Sequence, residues 1–179
     1  SSTFHVIKPG MVSAVSTGGI NQNMELTHNH SLENGLYLSG ESRLGNRLSL
    51  RYGMRYSIFS NRGPTTVFHY DENYELFDSI YYDHGGFFNS YHGLEPRFAA
   101  NYMWSDLHSL KVSYSRTRQY MQLASNSSAG TPLEIWFPAS PNIGPQISDQ
   151  FSAGYFRNFL DHKLQTSLEL YYKKMNNTI

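Results

Sequence analysis

The sequence predicts an all-β protein, an antiparallel up-and-down transmembrane β-barrel wall of about six or seven strands. Three observations predict it. Apolar and polar residues alternate with a period of two over unusually long stretches. Tight polar turns take turns with connections of about thirty residues, the asymmetry of barrels that span a bilayer. No run of about 18 apolar residues occurs, so no segment reads as a membrane-crossing helix.

The clearest strand is Arg47 to Phe59, RLSLRYGMRYSIF. Leu48, Leu50, Tyr52, Met54, Tyr56 and Ile58 fall on one face. Ser49, Arg51, Gly53, Arg55 and Ser57 fall on the other. A strand with one apolar and one polar face follows. Its length exceeds the usual globular strand of about five or six residues. It matches the roughly 9–11 residues that a tilted strand needs to cross a bilayer. In a membrane barrel the leucines and tyrosines would face lipid and the arginines the lumen.

Composition narrows the function classes. The 179 residues carry a formal net charge of 0, so no global field points to nucleic acid or to an acidic partner. There is no cysteine, which removes disulfides, thiolate metal sites and thiol nucleophiles. Aromatic residues make up 15% of the chain, enough for aromatic girdles or an aromatic binding surface. The mean hydropathy of −0.50 excludes nothing, because alternating strands dilute that signal.

Along the chain, Ser1 to Asn34 is weakly patterned. Phe4-His5-Val6-Ile7 is compatible with a strand end, and Lys8-Pro9-Gly10 breaks it. Gly35 to Leu44 alternates again and meets the Arg47 strand through a two-residue Gly45-Asn46 turn. The first hairpin therefore spans about 35–59. A second spans about 95–118, with a polar turn at Ser105 to His108, and a third about 150–174, with a turn at Leu160-Asp161-His162-Lys163. The connections of about 60–94 and 119–149 separate them, and the later one holds four of the seven prolines. Both long connections fall on the same side of the sheet.

Taken in order, LSLRYGMRYSIFSNRG (from Leu48), LEPRFAANY (from Leu94), LKVSYSRTRQ (from Leu110), IWFPASPNIGP (from Ile135) and QFSAGYFRNFLDHKLQTSLELYYKK (from Gln150) resemble the barrel of TonB-dependent outer-membrane receptors. The resemblance runs from about Gly35 to Lys174. It implies one internal piece of a larger barrel, with no plug domain in the chain and no terminal aromatic after Asn176. It implies part of an active transporter in the outer membrane of a Gram-negative cell. Such a transporter imports a scarce nutrient: a siderophore, cobalamin, an oligosaccharide or a peptide. Implied partners are outer-membrane lipid, the rest of the barrel and its plug, and an inner-membrane energy-coupling protein. No nucleic acid, cofactor or enzymatic activity is implied.

Candidate contacts for cargo lie in the loop Phe68 to His92, which carries five tyrosines, four phenylalanines, three histidines and five acids. Aromatic rings with polar tips hold sugars, planar chelates or peptides by stacking and hydrogen bonding. The candidates are Tyr70, Tyr74, Tyr81, Tyr82, His84 and Tyr91, with Trp136 from the later loop. The His and Asp pairs at His69, Asp71, Asp83, His84, His28 and His30 match no metal-cage spacing. No nucleophile-elbow motif and no paired acids support catalysis.

Two other readings fit the same residues. One is a small closed barrel with a structural or adhesive role. The other is a soluble β-sandwich that binds carbohydrate, which requires Tyr52, Tyr56, Phe98 and Leu168 to be buried between sheets.

Overall fold

A computed structural model describes residues 1–7, 11–15, 21–25, 28–73, 75–125, 134–159 and 164–178. The strands are β1 (Ser2–Ile7), β2 (Met11–Val15), β3 (Asn21–Glu25), β4 (Asn29–Leu44), β5 (Leu48–Arg62), β6 (Thr65–Tyr70), β7 (Leu76–Tyr82), β8 (Phe87–Ser105), β9 (His108–Gln119), β10 (Met121–Ser125), β11 (Glu134–Pro138), β12 (Gln146–Phe159) and β13 (Leu164–Asn176). Seven of them form one antiparallel sheet in the order β1-β4-β5-β8-β9-β12-β13. The other six make three separate two-stranded sheets, β2-β3, β6-β7 and β10-β11. The described sheet is not closed, and β1 and β13 are its edges.

Register explains the two faces. Residues directly opposite in an antiparallel pair share a face. One row runs Leu44, Leu48, Tyr102, Leu110, Tyr155, Leu168 across six strands. A second runs Gly40, Tyr52, Phe98, Tyr114, Phe151, Tyr172. These rows build a continuous apolar face with nothing packed on it. Tyr52 is 50% exposed, Phe98 44% and Leu168 66%, so no second sheet covers them and the sandwich reading fails. An uncovered apolar face of this extent is a liability in water and a requirement in lipid. Trp104 stands exposed near the tight turns, at the point where β8 shifts register against β9 and close to Tyr102, as a girdle residue does.

The opposite rows are polar or small. Glu41, Arg51, Ala99, Ser113, Ser152 and Tyr171 form one, and Arg43, Ser49, Asn101, Lys111, Gly154 and Glu169 the next. Ser49, Arg51, Ala99, Asn101, Lys111, Ser113, Ser152, Gly154 and Glu169 of these rows line an open trough of about 420 Å³. On its margins Arg51 donates to Glu41 at 3.2 Å, and the Lys111 ammonium stands 4.2 Å from the Phe156 ring centre.

The chain alternates short and long links. Leu44 pairs with Leu48, so the first turn is the three residues Gly45 to Arg47 rather than the two the sequence predicts. Gly45 takes a φ of 65°, which a side chain would resist, and the Arg47 carbonyl already accepts from Met103 of β8. Asp106 and Leu107 make the second turn, between the paired Ser105 and His108. The predicted turn at Leu160-Asp161-His162-Lys163 lies outside the described residues.

At the other end of the sheet the links are long, and each contains one of the small hairpins. The connection expected over 60–94 is therefore shorter than the sequence suggests. Strand β5 stays paired to Arg62, β8 is paired from Phe87, and β6-β7 fills the space between. The weakly patterned start likewise contains β1, which pairs along β4 from Asn29 to Asn34.

Candidate functional site at the loop end of the sheet

The sheet has almost no interior of its own, but a buried cluster forms where the β9–β12 connection folds over the polar face of β5. Phe59 is 0% exposed there, although it lies among the polar-face positions of β5. The Tyr120 ring lies flat against it, with centroids 4.9 Å apart and planes within 2°. Tyr91 and Met121 pack around the pair. Stacked rings of this kind add to the burial of their area.

A polar chain runs beneath the cluster. The Arg55 guanidinium donates to Glu33 at 2.8 Å and stands 3.6 Å from the Glu95 carboxylate. Glu95 is 1% exposed and takes a 2.7 Å bond from the Ser57 hydroxyl. Ser57 lies 2.7 Å from the Tyr120 hydroxyl, and His5 lies 3.3 Å from Glu33. Buried carboxylates persist only when charge and hydrogen bonds replace their water, and Glu95 has both. Burial raises the pKa of the Tyr120 phenol, and the Ser57 bond opposes that only in part.

The returning limb of the connection is tied down as well. Ala139 is 0% exposed. Its N–H donates to the Tyr120 carbonyl at 2.7 Å, and its carbonyl accepts from the Asn61 amide at 2.6 Å. The Tyr91 hydroxyl donates to the Ser140 carbonyl at 2.7 Å. The Asn142 amide reaches the Phe68 carbonyl at 2.9 Å, which links this connection to the β6-β7 hairpin.

The candidate contact residues do not gather in one pocket. Tyr70 and Tyr81 are exposed on the β6-β7 hairpin, at 55% and 65%. Tyr82 is half-buried against Phe88, 5.3 Å between ring centres. His84 is exposed in the turn after β7, and its backbone N–H donates to the Asp83 carboxylate at 2.6 Å. Tyr91 is half-buried under the β9–β12 connection. Trp136 is half-exposed on β11, opposite Leu123. Tyr74 lies outside the described residues.

Sequence reasoning passed over Glu95, Phe59 and Tyr120 as a group and placed Ser57 only as a polar-face residue. The available signal was Phe59, a large apolar residue at the parity of Arg51 and Arg55.

Comparison with known proteins agrees with this architecture. The chain matches the family described as TonB dependent receptor-like, beta-barrel, over residues 10–179. No curated protein and no solved structure matches it. Strand crossings with an uncovered apolar face, short turns at one end and long links at the other agree with that match, and the chain belongs to the TonB-dependent receptor-like β-barrel family, a family of outer-membrane receptors and transporters of Gram-negative bacteria rather than of enzymes.

Proposed function

We propose that this part of the barrel wall serves a receptor that captures a scarce nutrient outside the cell and imports it with energy delivered from the inner membrane. The β6-β7 hairpin carries the reading. It stands at the loop end of the sheet with Tyr70, Phe77 and Tyr81 open to solvent. Exposed rings with hydroxyl tips suit a siderophore, cobalamin, an oligosaccharide or a peptide. Residues 65–86 hold five acids and no lysine or arginine, and among the described residues those acids make no ion pair. Their field favours neutral or cationic cargo over anionic cargo.

Tyr70, Tyr81 and Trp136 are the contacts this reading puts first, with Tyr82 and His84 beside them. The apolar face meets lipid and the remaining strands complete the barrel. The polar trough between Arg51 and Glu169 faces the plug, which in turn engages the energy-coupling protein.

The test uses the complete receptor in its outer membrane. Binding is measured for one representative of each of the four cargo classes, in the parent and in Tyr70→Ala, Tyr81→Ala and Trp136→Ala. Loss of one stacking ring weakens binding by about tenfold for the true class. Unchanged affinity in all three variants, for a cargo the parent binds, would remove the hairpin from the capture site.

A further inference from the structure

We propose that the two described limbs of the β9–β12 connection, residues 120–125 and 134–145, form a strap latched onto the polar face of β5, with Tyr120 as the bolt and the charge of Glu95 as the catch. The inference stands on the buried cluster and does not depend on the cargo reading.

Strands β9 and β12 are hydrogen-bonded neighbours, so the direct path between them runs over their own ends. The connection goes elsewhere. Its described limbs cross β8 and seat on β5, two strands away from β9. Both limbs are pinned there. The outgoing limb is held by the Phe59 stack and the Ser57 bond, and the returning limb by Asn61 and Tyr91. The Ala139 bond to the Tyr120 carbonyl ties one limb to the other. Gly93, with no side chain, leaves room for the Arg118 guanidinium at the foot of the strap.

Proton bookkeeping makes Glu95 the catch. An ionised carboxylate only accepts, so the single hydroxyl proton of Ser57 is committed to Glu95. Ser57 must then accept, and Tyr120 must donate to it. One buried charge thus orients two hydroxyls and ends on the strap. Arg55 does not hold Glu95 as firmly, because it sits closer to Glu33, at 2.8 Å against 3.6 Å. The shorter partner of Glu95 is Ser57, the group that leads to the strap. Bonds that end on an ion are the strong ones in such a chain.

Latched, the strap covers this part of the polar face, while the β6-β7 hairpin leans on it through the Asn142 bond. Released, it uncovers Glu95, Arg55 and Phe59 together.

A thiol at position 139 reports the latch. Ala139 is wholly buried on the returning limb of the strap, where its methyl joins the Phe59–Tyr120 cluster and its backbone makes both bonds, and this chain has no cysteine. Ala139→Cys is placed in the complete receptor, and its labelling by a bulky maleimide added to intact cells is timed. Ser79→Cys, on the exposed hairpin, gives the open-access rate. Slow labelling at 139 is expected, rising about tenfold when Tyr120→Phe or Glu95→Gln is added, since the first removes the hydroxyl that ends the chain on the strap and the second the charge that orients it. Tyr120→Phe keeps the ring on Phe59, and both variants are compared at equal outer-membrane abundance. Ser49→Ala, away from the latch, leaves the rate alone. A rate at 139 equal to that at 79 in the parent, or no rise with either variant, overturns the strap. A rise with Tyr120→Phe but none with Glu95→Gln overturns the catch.

Discussion

Phe59 shows what a single residue does here. It is an apolar ring at a polar-face position, buried only because Tyr120 covers it. Phe59→Ala should cost about 3–4 kcal/mol in unfolding of the receptor, the usual penalty for emptying an aromatic site, while Phe59→Leu costs less. Tyr120 adds a pH signature. Its phenol is raised above the ordinary value by burial, so the folded state holds that proton more tightly than the unfolded chain. This stability is complete below the unfolded tyrosine value of about 10 and is lost as pH rises through the raised one. The parent's unfolding midpoint should fall more steeply than that of Tyr120→Phe as pH rises above about 10. Equal slopes would show that the phenol is not buried. Sequence could not announce this cluster. Ser57 and Tyr120 lie 63 residues apart, and periodicity reads only near neighbours.

At the scale of the element, Tyr37 and Leu38 make a decisive pair. They are adjacent on β4 and similarly uncovered, at 75% and 81%, yet they point to opposite faces. Leu38→Arg should destabilise by about 2–4 kcal/mol if it lies near the bilayer midplane, whereas Tyr37→Arg should be nearly neutral. Comparing their unfolding in lipid vesicles checks this, and equal costs would remove the assignment of faces. Alternation made these faces legible in β4, β5, β8, β9, β12 and β13, because parity is a local property. The ends of β5 and β8 were harder. From Ile58 to Arg62 the apolar and polar residues stop alternating cleanly, since Phe59 and Asn61 serve the strap rather than the lumen. The small hairpins were hidden for a different reason. Thr65 to Tyr70 is rich in strand-forming residues, but at six residues it is indistinguishable from a loop that happens to be aromatic.

Considered whole, the described sheet presents two unpaired edges, β1 and β13. Lipid offers nothing to their free N–H and C=O groups, so each edge needs a neighbouring strand. Refolded alone in detergent, residues 1–179 should give no compact form whose gel migration shifts on heating. The complete receptor should give one. A stable heat-shifting species from the segment alone would favour the small closed barrel. The organisation of the sheet also governs which changes a lineage can tolerate. The three outer hairpins are sheets of their own, with ladders that do not continue into the wall. Adding one residue to β6 alters a tip and stops there. Adding one residue to β5 inverts every side chain beyond it, turning leucines inward and arginines outward. Insertions and deletions should therefore accumulate in β2-β3, β6-β7 and β10-β11, while the wall keeps its length.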